Sequence, residues 1–253
     1  GYNGSGKSPA AISLAAMKEK NYEAMPEFGI EAAGVPGAVR AWADIHKKHG
    51  RLPFKKVLAP AIHYAENGFV LSPTVARLWA MELEKRKTNR ATLYDGFWAQ
   101  FSFDGKAPKA GDVVPFPDIA RTLKSIAEDG GRSFYEGAIA EKIHAFMKAH
   151  GGFMQKEDLT AQETLEVEPL SLSFEGARVW ELPPNGQGIS VLMALEMLKH
   201  KPTVPDDGKS AHVIAEAIKR AMTDAAKYVA DPEFMSLSSE DLLNPDYLKK
   251  SSD

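Results

Sequence analysis

The sequence contains no cysteine, which removes disulfides, cysteine-ligated zinc and thiol nucleophiles together and leaves either redox compartment open. It has no apolar run near the roughly 20 residues a membrane span needs. It also lacks an excess of positive charge: the formal net charge is -3 and the pI about 6.2, so no nucleic-acid footprint is expected. The first residues show neither a basic region nor an apolar stretch of signal-peptide type. Because Gly1 is not an initiator Met, upstream sequence is expected to be missing. Localisation therefore stays open, with cytoplasmic the default reading and secretion or the periplasm the alternatives.

Several catalytic patterns are absent too. No G-x-S-x-G elbow occurs, since Gly188-Ile189-Ser190-Val191-Leu192 fails at its last position, and none of the seven histidines lies in an H-E-x-x-H pattern. His46 and His49 share a helical face, but without a third ligand they read as a solvated face rather than a metal site. Acidic pairs such as Glu157-Asp158 and Asp206-Asp207 read as caps or loop charges. No metal or cofactor is expected.

What is present is enough apolar material, 44% of 253 residues, for a full core in one domain spanning residues 1–253. Helical spacing and stop signals place helices over Ala10–Glu19, Gly37–Gly50, Leu52–Phe69, Ser72–Lys85, Pro117–Gly130, Phe134–His150 and Ser210–Val229. Pro60 should kink the third or mark its start. The run Leu93 to Phe103, with Tyr94, Phe97, Trp98, Phe101 and Phe103, reads as buried core or a subunit contact. The stripes Ile119, Leu123 and Ile126, and Ile139, Ile143, Phe146 and Met147, read as core. So does the wide face of Val213, Ile214, Ala217, Ile218, Ala221, Met222 and Ala225. The tail after Ser236 offers one short helix.

The chain is organised around Phe174 to Leu198. Extended segments flank a tight Glu175-Gly176 turn, and a Pro183-Pro184-Asn185-Gly186-Gln187-Gly188 loop leads into a helix carrying Ile189, Leu192, Met193, Leu195 and Met197. Such a junction can present backbone amides to an anion, or it can be no more than a sharp connection. Gly1 to Ser8 also fits the phosphate-loop pattern letter for letter. No strand precedes it and Pro9 follows at once, so the competing reading is a Gly/Ser turn before a helix.

Several motifs together resemble the γ-glutamyltranspeptidase superfamily, specifically its large subunit. They are Gly-Val-Pro-Gly-Ala-Val, Gly-Arg-Leu-Pro-Phe and Leu-Ala-Pro-Ala-Ile-His-Tyr-Ala-Glu-Asn-Gly-Phe within residues 34–69, then Gly111-Asp112 and Phe134-Tyr135-Glu136-Gly137-Ala138-Ile139-Ala140. Gly151-Gly152 with Glu157-Asp158-Leu159, the Leu182 to Gly188 loop, His212 to Lys219, Tyr228 and Asp231-Pro232-Glu233-Phe234 complete the set. The resemblance implies an α+β fold: the helix-rich large-subunit part of an αββα N-terminal-nucleophile (Ntn) hydrolase sandwich, completed by a second chain.

It further implies a self-cleaving precursor whose small subunit carries the catalytic Thr, with its own α-amine as base, acting on a small-molecule γ-glutamyl or related acyl amide. No catalytic residue is expected in this chain, which stops just before the implied cut. A dimer of such heterodimers is open. Ser5, Lys7, Asn185, Gly186, Gln187 and Gly188 are expected to bind substrate.

Two departures point to the acylase-like, transpeptidase-related branch. Ser5-Gly6-Lys7-Ser8-Pro9 stands where glutathione-cleaving members carry Arg-Glu-Thr-Ala-Pro, and Pro-Asn-Gly-Gln-Gly stands in place of a Pro-Ser-Ser-Gly-Gly loop. The rival readings are a phosphate-loop nucleotide binder and a non-catalytic helical binding module.

Overall fold

The computed structural model describes residues 1–87, 95–199, 201 and 207–252. In chain order its elements are β1 (Tyr2–Asn3), α1 (Leu14–Glu19), α2 (Ala38–His49), α3 (Phe54–Asn67), β2 (Phe69–Val70), α4 (Pro73–Lys87), α5 (Asp95–Phe101) and β3 (Val113–Val114). There follow α6 (Pro117–Asp129), α7 (Arg132–Glu136), α8 (Ala138–Ala149), α9 (Lys156–Thr160), β4 (Leu165–Glu166), β5 (Leu170–Phe174), β6 (Ala177–Glu181), α10 (Gly188–Leu198), α11 (Gly208–Tyr228), α12 (Ser239–Leu242) and α13 (Pro245–Ser252). Each of the three sheets has two antiparallel strands: β1 with β4, β2 with β3, and β5 with β6. The chain divides into two compact units, residues 4–164 and residues 1–3 with 165–253.

In the first unit the core gathers Ile30, Val35, Val39, Ile126, Tyr135, Ala140, Met147, Met154 and Leu159. Chain punctuation explains most of its boundaries. Gly50 closes α2 with its amide on the His46 carbonyl at 2.7 Å, and Gly130, at φ +69°, turns the chain out of α6 in the left-handed conformation that glycine adopts without steric penalty. Ser72 caps α4 through an Oγ that accepts from the Val75 amide at 3.3 Å.

Four expectations need correction here. The first helix begins at Leu14, not Ala10, because Ser13 caps it, its Oγ accepting from the Ala16 amide at 3.1 Å. Of the two readings of Pro60, the helix start is overturned, since α3 opens at Phe54 and holds Pro60, an exposed position, inside it. The helix expected over Phe134–His150 is two helices, parted at Gly137 (φ -127°, ψ -149°), where a Cβ would lie 2.8 Å from Ser133 Cα. Ile119 and Phe146, both expected in the core, are exposed, whereas Ile126 and Met147 are buried.

The aromatic run forms a half-buried cluster. Trp79 and Phe116 stack at 6.0 Å, and Phe101 meets both, while Phe97 lies 5.0 Å from Phe101. Phe103 is exposed, and Leu93 and Tyr94 lie outside the described residues.

The second unit packs α10 against α11, α13 and the β5–β6 hairpin around Ile189, Met193, Met197, Ala217, Ala221, Leu242 and Leu248. The hairpin turn is Glu175-Gly176, with φ +46° and +80°, matching the turn expected at that dipeptide. α11 is capped by Asp207, whose carboxylate accepts from the Ser210 amide at 3.3 Å; Asp206 lies outside the described residues. The face expected to be wide and apolar is only half covered: Ala217, Ala221 and Ala225 are buried, while Ile214, Ile218 and Met222 are 38%, 49% and 40% exposed. The tail holds two helices instead of one, because Ser238 opens α12 with a capping box to Asp241 and Asn244 caps the next through its Oδ1.

Candidate functional site

In the unit of residues 4–164, the Ser5–Lys7 segment lies against the Val35–Gly37 turn. The Val35 amide donates to the Lys7 carbonyl at 3.0 Å. Only glycine fits at two points of this approach: a Cβ at Gly6 would fall 1.6 Å from the Val35 carbonyl oxygen, and one at Gly37 would fall 2.0 Å from the Gly4 carbonyl oxygen. The Ala10 amide donates to Asp158 Oδ1 at 2.9 Å, and the other carboxylate oxygen accepts from the Gln155 amide at 2.8 Å. Asp158 is thus the cap that the Glu157-Asp158 pair suggested, and it also holds the chain just past Pro9.

Beneath the segment lies a polar network. Buried Gln162 donates to the Glu163 carbonyl at 2.9 Å and reaches the Ser5 carbonyl at 3.5 Å, and its own carbonyl accepts from Arg40 Nε at 3.1 Å. Arg40 covers the Tyr135 ring at 4.5 Å. The Tyr135 hydroxyl donates to the Pro36 carbonyl at 2.8 Å and accepts from the Arg40 amide at 2.9 Å, which fills one of the four donors left open at the start of α2. Burial pushes the Tyr135 phenol above its ordinary range, partly offset by its hydrogen bond with the Arg40 amide. The Lys7 side chain is exposed, and its ammonium makes no hydrogen bond or ion pair among the described residues.

In the unit of residues 1–3 and 165–253, the Pro183-to-Gly188 loop joins β6 to α10. Asn3 Nδ2 donates to Asn185 Oδ1 at 2.8 Å, tying the loop to β1. Ser190 Oγ donates to the Gln187 carbonyl at 2.7 Å, tightening the first turn of α10, and no side chain caps that helix at Gln187. Gly186 faces open space. Gly188 is fixed by packing instead: a Cβ there would lie 2.4 Å from Glu181 Oε2 and 3.0 Å from Glu181 Cδ. Buried Ile189, Leu192 and Met193 anchor the helix behind the loop.

Each expected substrate-binding group therefore belongs to an ordered segment of its own unit. Sequence reasoning missed Asn3 and Glu181 beside the loop and Gln162 beneath Ser5. For Glu181 a signal was available, since strand alternation puts it on the opposite face from Arg178 and Trp180.

His46 Nε2 is held 2.7 Å from the Leu52 carbonyl, and no group of metal ligands occurs among the described residues. No helix among them is long and apolar enough to cross a membrane. The phosphate-loop reading fails on context, because Tyr2–Asn3 pairs with Leu165–Glu166 as a short strand and no helix starts until Leu14.

The family described as Gamma-glutamyltranspeptidase matches this chain over residues 1–253. The chain belongs to the gamma-glutamyltranspeptidase family. Its fold is that of solved members. It superposes on a cephalosporin acylase from Bacillus halodurans with a TM-score of 0.93 at 41% identity, covering 99% of this chain and 47% of that one. On the γ-glutamyltranspeptidase of Helicobacter pylori the TM-score is 0.88 at 28% identity, covering 100% of this chain and 73% of that one. Among curated relatives, a glutathione hydrolase-like proenzyme of Bacillus subtilis is 33% identical over 98% of this chain. The chain spans 47% of that relative, about half its length. The α+β, helix-rich large-subunit architecture expected from the motifs is thereby established, and the nucleotide-binding and non-catalytic alternatives are not favoured.

Proposed function

We propose that this chain is the large chain of an amide-cleaving acyltransferase or hydrolase, acting with a second, small chain that carries an N-terminal Thr. In this reading the Thr hydroxyl adds to the acyl carbonyl carbon while its α-amine takes the proton. The amide nitrogen leaves with that proton, and water or an acceptor amine then releases the acyl group. The acyl donor is a γ-glutamyl or related small acyl amide.

The observation that carries the reading is the family match along the whole chain. The exposed Ile214–Ile218–Met222 row on α11 supports it, because an apolar row left open beside the buried Ala217–Ala221–Ala225 row suits coverage by another chain. Lys7 takes a donor carboxylate as a point charge, where an arginine would grip it with two parallel hydrogen bonds. Asn185, Gly186, Gln187 and Gly188 border the acyl group.

The test is release of p-nitroaniline from γ-glutamyl-p-nitroanilide by the protein purified from its natural gene, with and without Lys7→Ala. Loss of one charge-assisted contact predicts a KM raised about tenfold with kcat little changed. No release by the wild type would sink the activity, and an unchanged KM in the variant would remove Lys7 from the site.

A further inference from the structure

α10 and α11 pack together around Met193, Met197, Ala217 and Ala221, yet a cleft of about 180 Å³ opens between the end of α10 and the first half of α11. It lies wholly within the unit of residues 1–3 and 165–253. Buried Met197 and Ala217, with half-buried Leu198, give it an apolar floor. Its rim carries Lys201, His212, Glu216 and Arg220. The Lys201 backbone is fixed there, because its amide donates to the Leu198 carbonyl at 3.0 Å. Among the described residues Glu216 is the only carboxylate of the lining, and it accepts a hydrogen bond from the Lys219 ammonium at 2.7 Å. That bond, with the Lys219 charge and then those of His212 and Arg220 added, holds the Glu216 carboxyl below its ordinary range. The rim is therefore positive in balance: Lys201 and Arg220 stand beside a carboxylate that Lys219 already neutralises.

We propose that this cleft binds a small amphiphilic carboxylate, its apolar body on Met197, Leu198 and Ala217 and its anionic head between Lys201 and Arg220. A cavity of about 150 Å³ holds one benzene ring, so this one admits a body of about six carbons with the carboxylate at the rim. The site also lies apart from the exposed Ile214–Ile218–Met222 row: at about 100° per residue, Glu216 is about 160° round α11 from Ile218, so a second chain seated on that row leaves the cleft side of the helix open. Binding is carried by this chain's own residues, and its test does not need the cleavage reaction.

The experiment uses the protein purified from its natural gene, labelled with carbon-13 at the methionine methyls, with the Met197 signal identified by its loss in Met197→Leu. Hexanoate, 1-hexanol and hexylammonium are each titrated while that signal is followed by NMR. The expected result is a saturable shift at Met197 with hexanoate, at a Kd on the order of 1 mM. Hexylammonium should bind at least about fivefold more weakly, and Arg220→Gln or Lys201→Gln should each weaken hexanoate by about fivefold while leaving 1-hexanol unchanged, the size of one partly exposed ion pair. No saturable shift at Met197 in the millimolar range would overturn the site. Hexylammonium or 1-hexanol binding as tightly as hexanoate would overturn its preference for an anion, whatever the two variants do.

Discussion

Replacing Tyr135 with Phe isolates the device that joins α2 to the buried network under the Ser5–Lys7 segment. Tyr135 is 1% exposed, and its hydroxyl both donates to the Pro36 carbonyl and accepts from the Arg40 amide. Gly37, at the N-cap of α2, supplies no side chain, so this hydroxyl does the work of a capping group from a distant helix. Phe keeps the ring under the Arg40 guanidinium, leaving that contact in place. Losing a cap costs about 1 kcal/mol. The half-buried Pro36 carbonyl left without its donor costs a further ~1–2 kcal/mol. The expected loss is therefore about 2–3 kcal/mol, read as the shift in unfolding free energy and as faster hydrogen exchange at the Arg40 amide.

Burial also raises the phenol above its ordinary value of 10.0. In the unfolded chain the group ionises near that value while the folded protein still holds the proton. Stability is thus unaffected below pH ~10 and falls as pH rises beyond it through the raised folded value. That alkaline slope should be weaker in the Phe variant. A loss below about 0.5 kcal/mol with an unchanged exchange rate at Arg40 would refute the capping argument.

Two other perturbations follow from the same geometry. Gly6→Ala drives a Cβ into the Val35 carbonyl, a backbone atom that cannot swing aside, so it should lower catalytic efficiency by at least ~10-fold through displacement of Ser5 and Lys7; wild-type kinetics in the variant would contradict this. Glu31 is held below its ordinary range chiefly by a hydrogen bond from Lys20 at 2.8 Å, and Lys20 also donates to the Gly151 carbonyl at 2.9 Å. Its stabilisation is present above the ordinary glutamate range and is lost as pH falls through the lowered folded value, so Glu31→Gln should melt lower than wild type at pH ~7 and approach it near pH ~3. Parallel melting curves at the two pH values would show the pair to be inert.

Much of the fold was legible in the chain because its punctuation is local. Gly50, Gly130, Ser72 and the Glu175-Gly176 turn each act within a few residues, and the structure places them as expected. Competing local signals account for several misses: Ser13 caps the first helix four residues after its expected start at Ala10, and Gly137 parts a helix expected to run unbroken from Phe134. Other misses were tertiary. Periodicity marked one wide apolar face on α11, but nothing in the pattern says that the alanines turn inward and Ile214, Ile218 and Met222 outward. The site was legible only as motifs. Asn3 meets Asn185 across 182 positions and Gln162 reaches Ser5 across 157, and pairings at such separations leave no local trace.

The central claim, that this large chain works with a second chain bearing an N-terminal Thr, is tested most directly by intact mass and N-terminal sequencing of everything that purifies with it from the natural gene. The account predicts a tightly associated second polypeptide whose first residue is Thr. A single uncut polypeptide, or a companion beginning with any other residue, would contradict it.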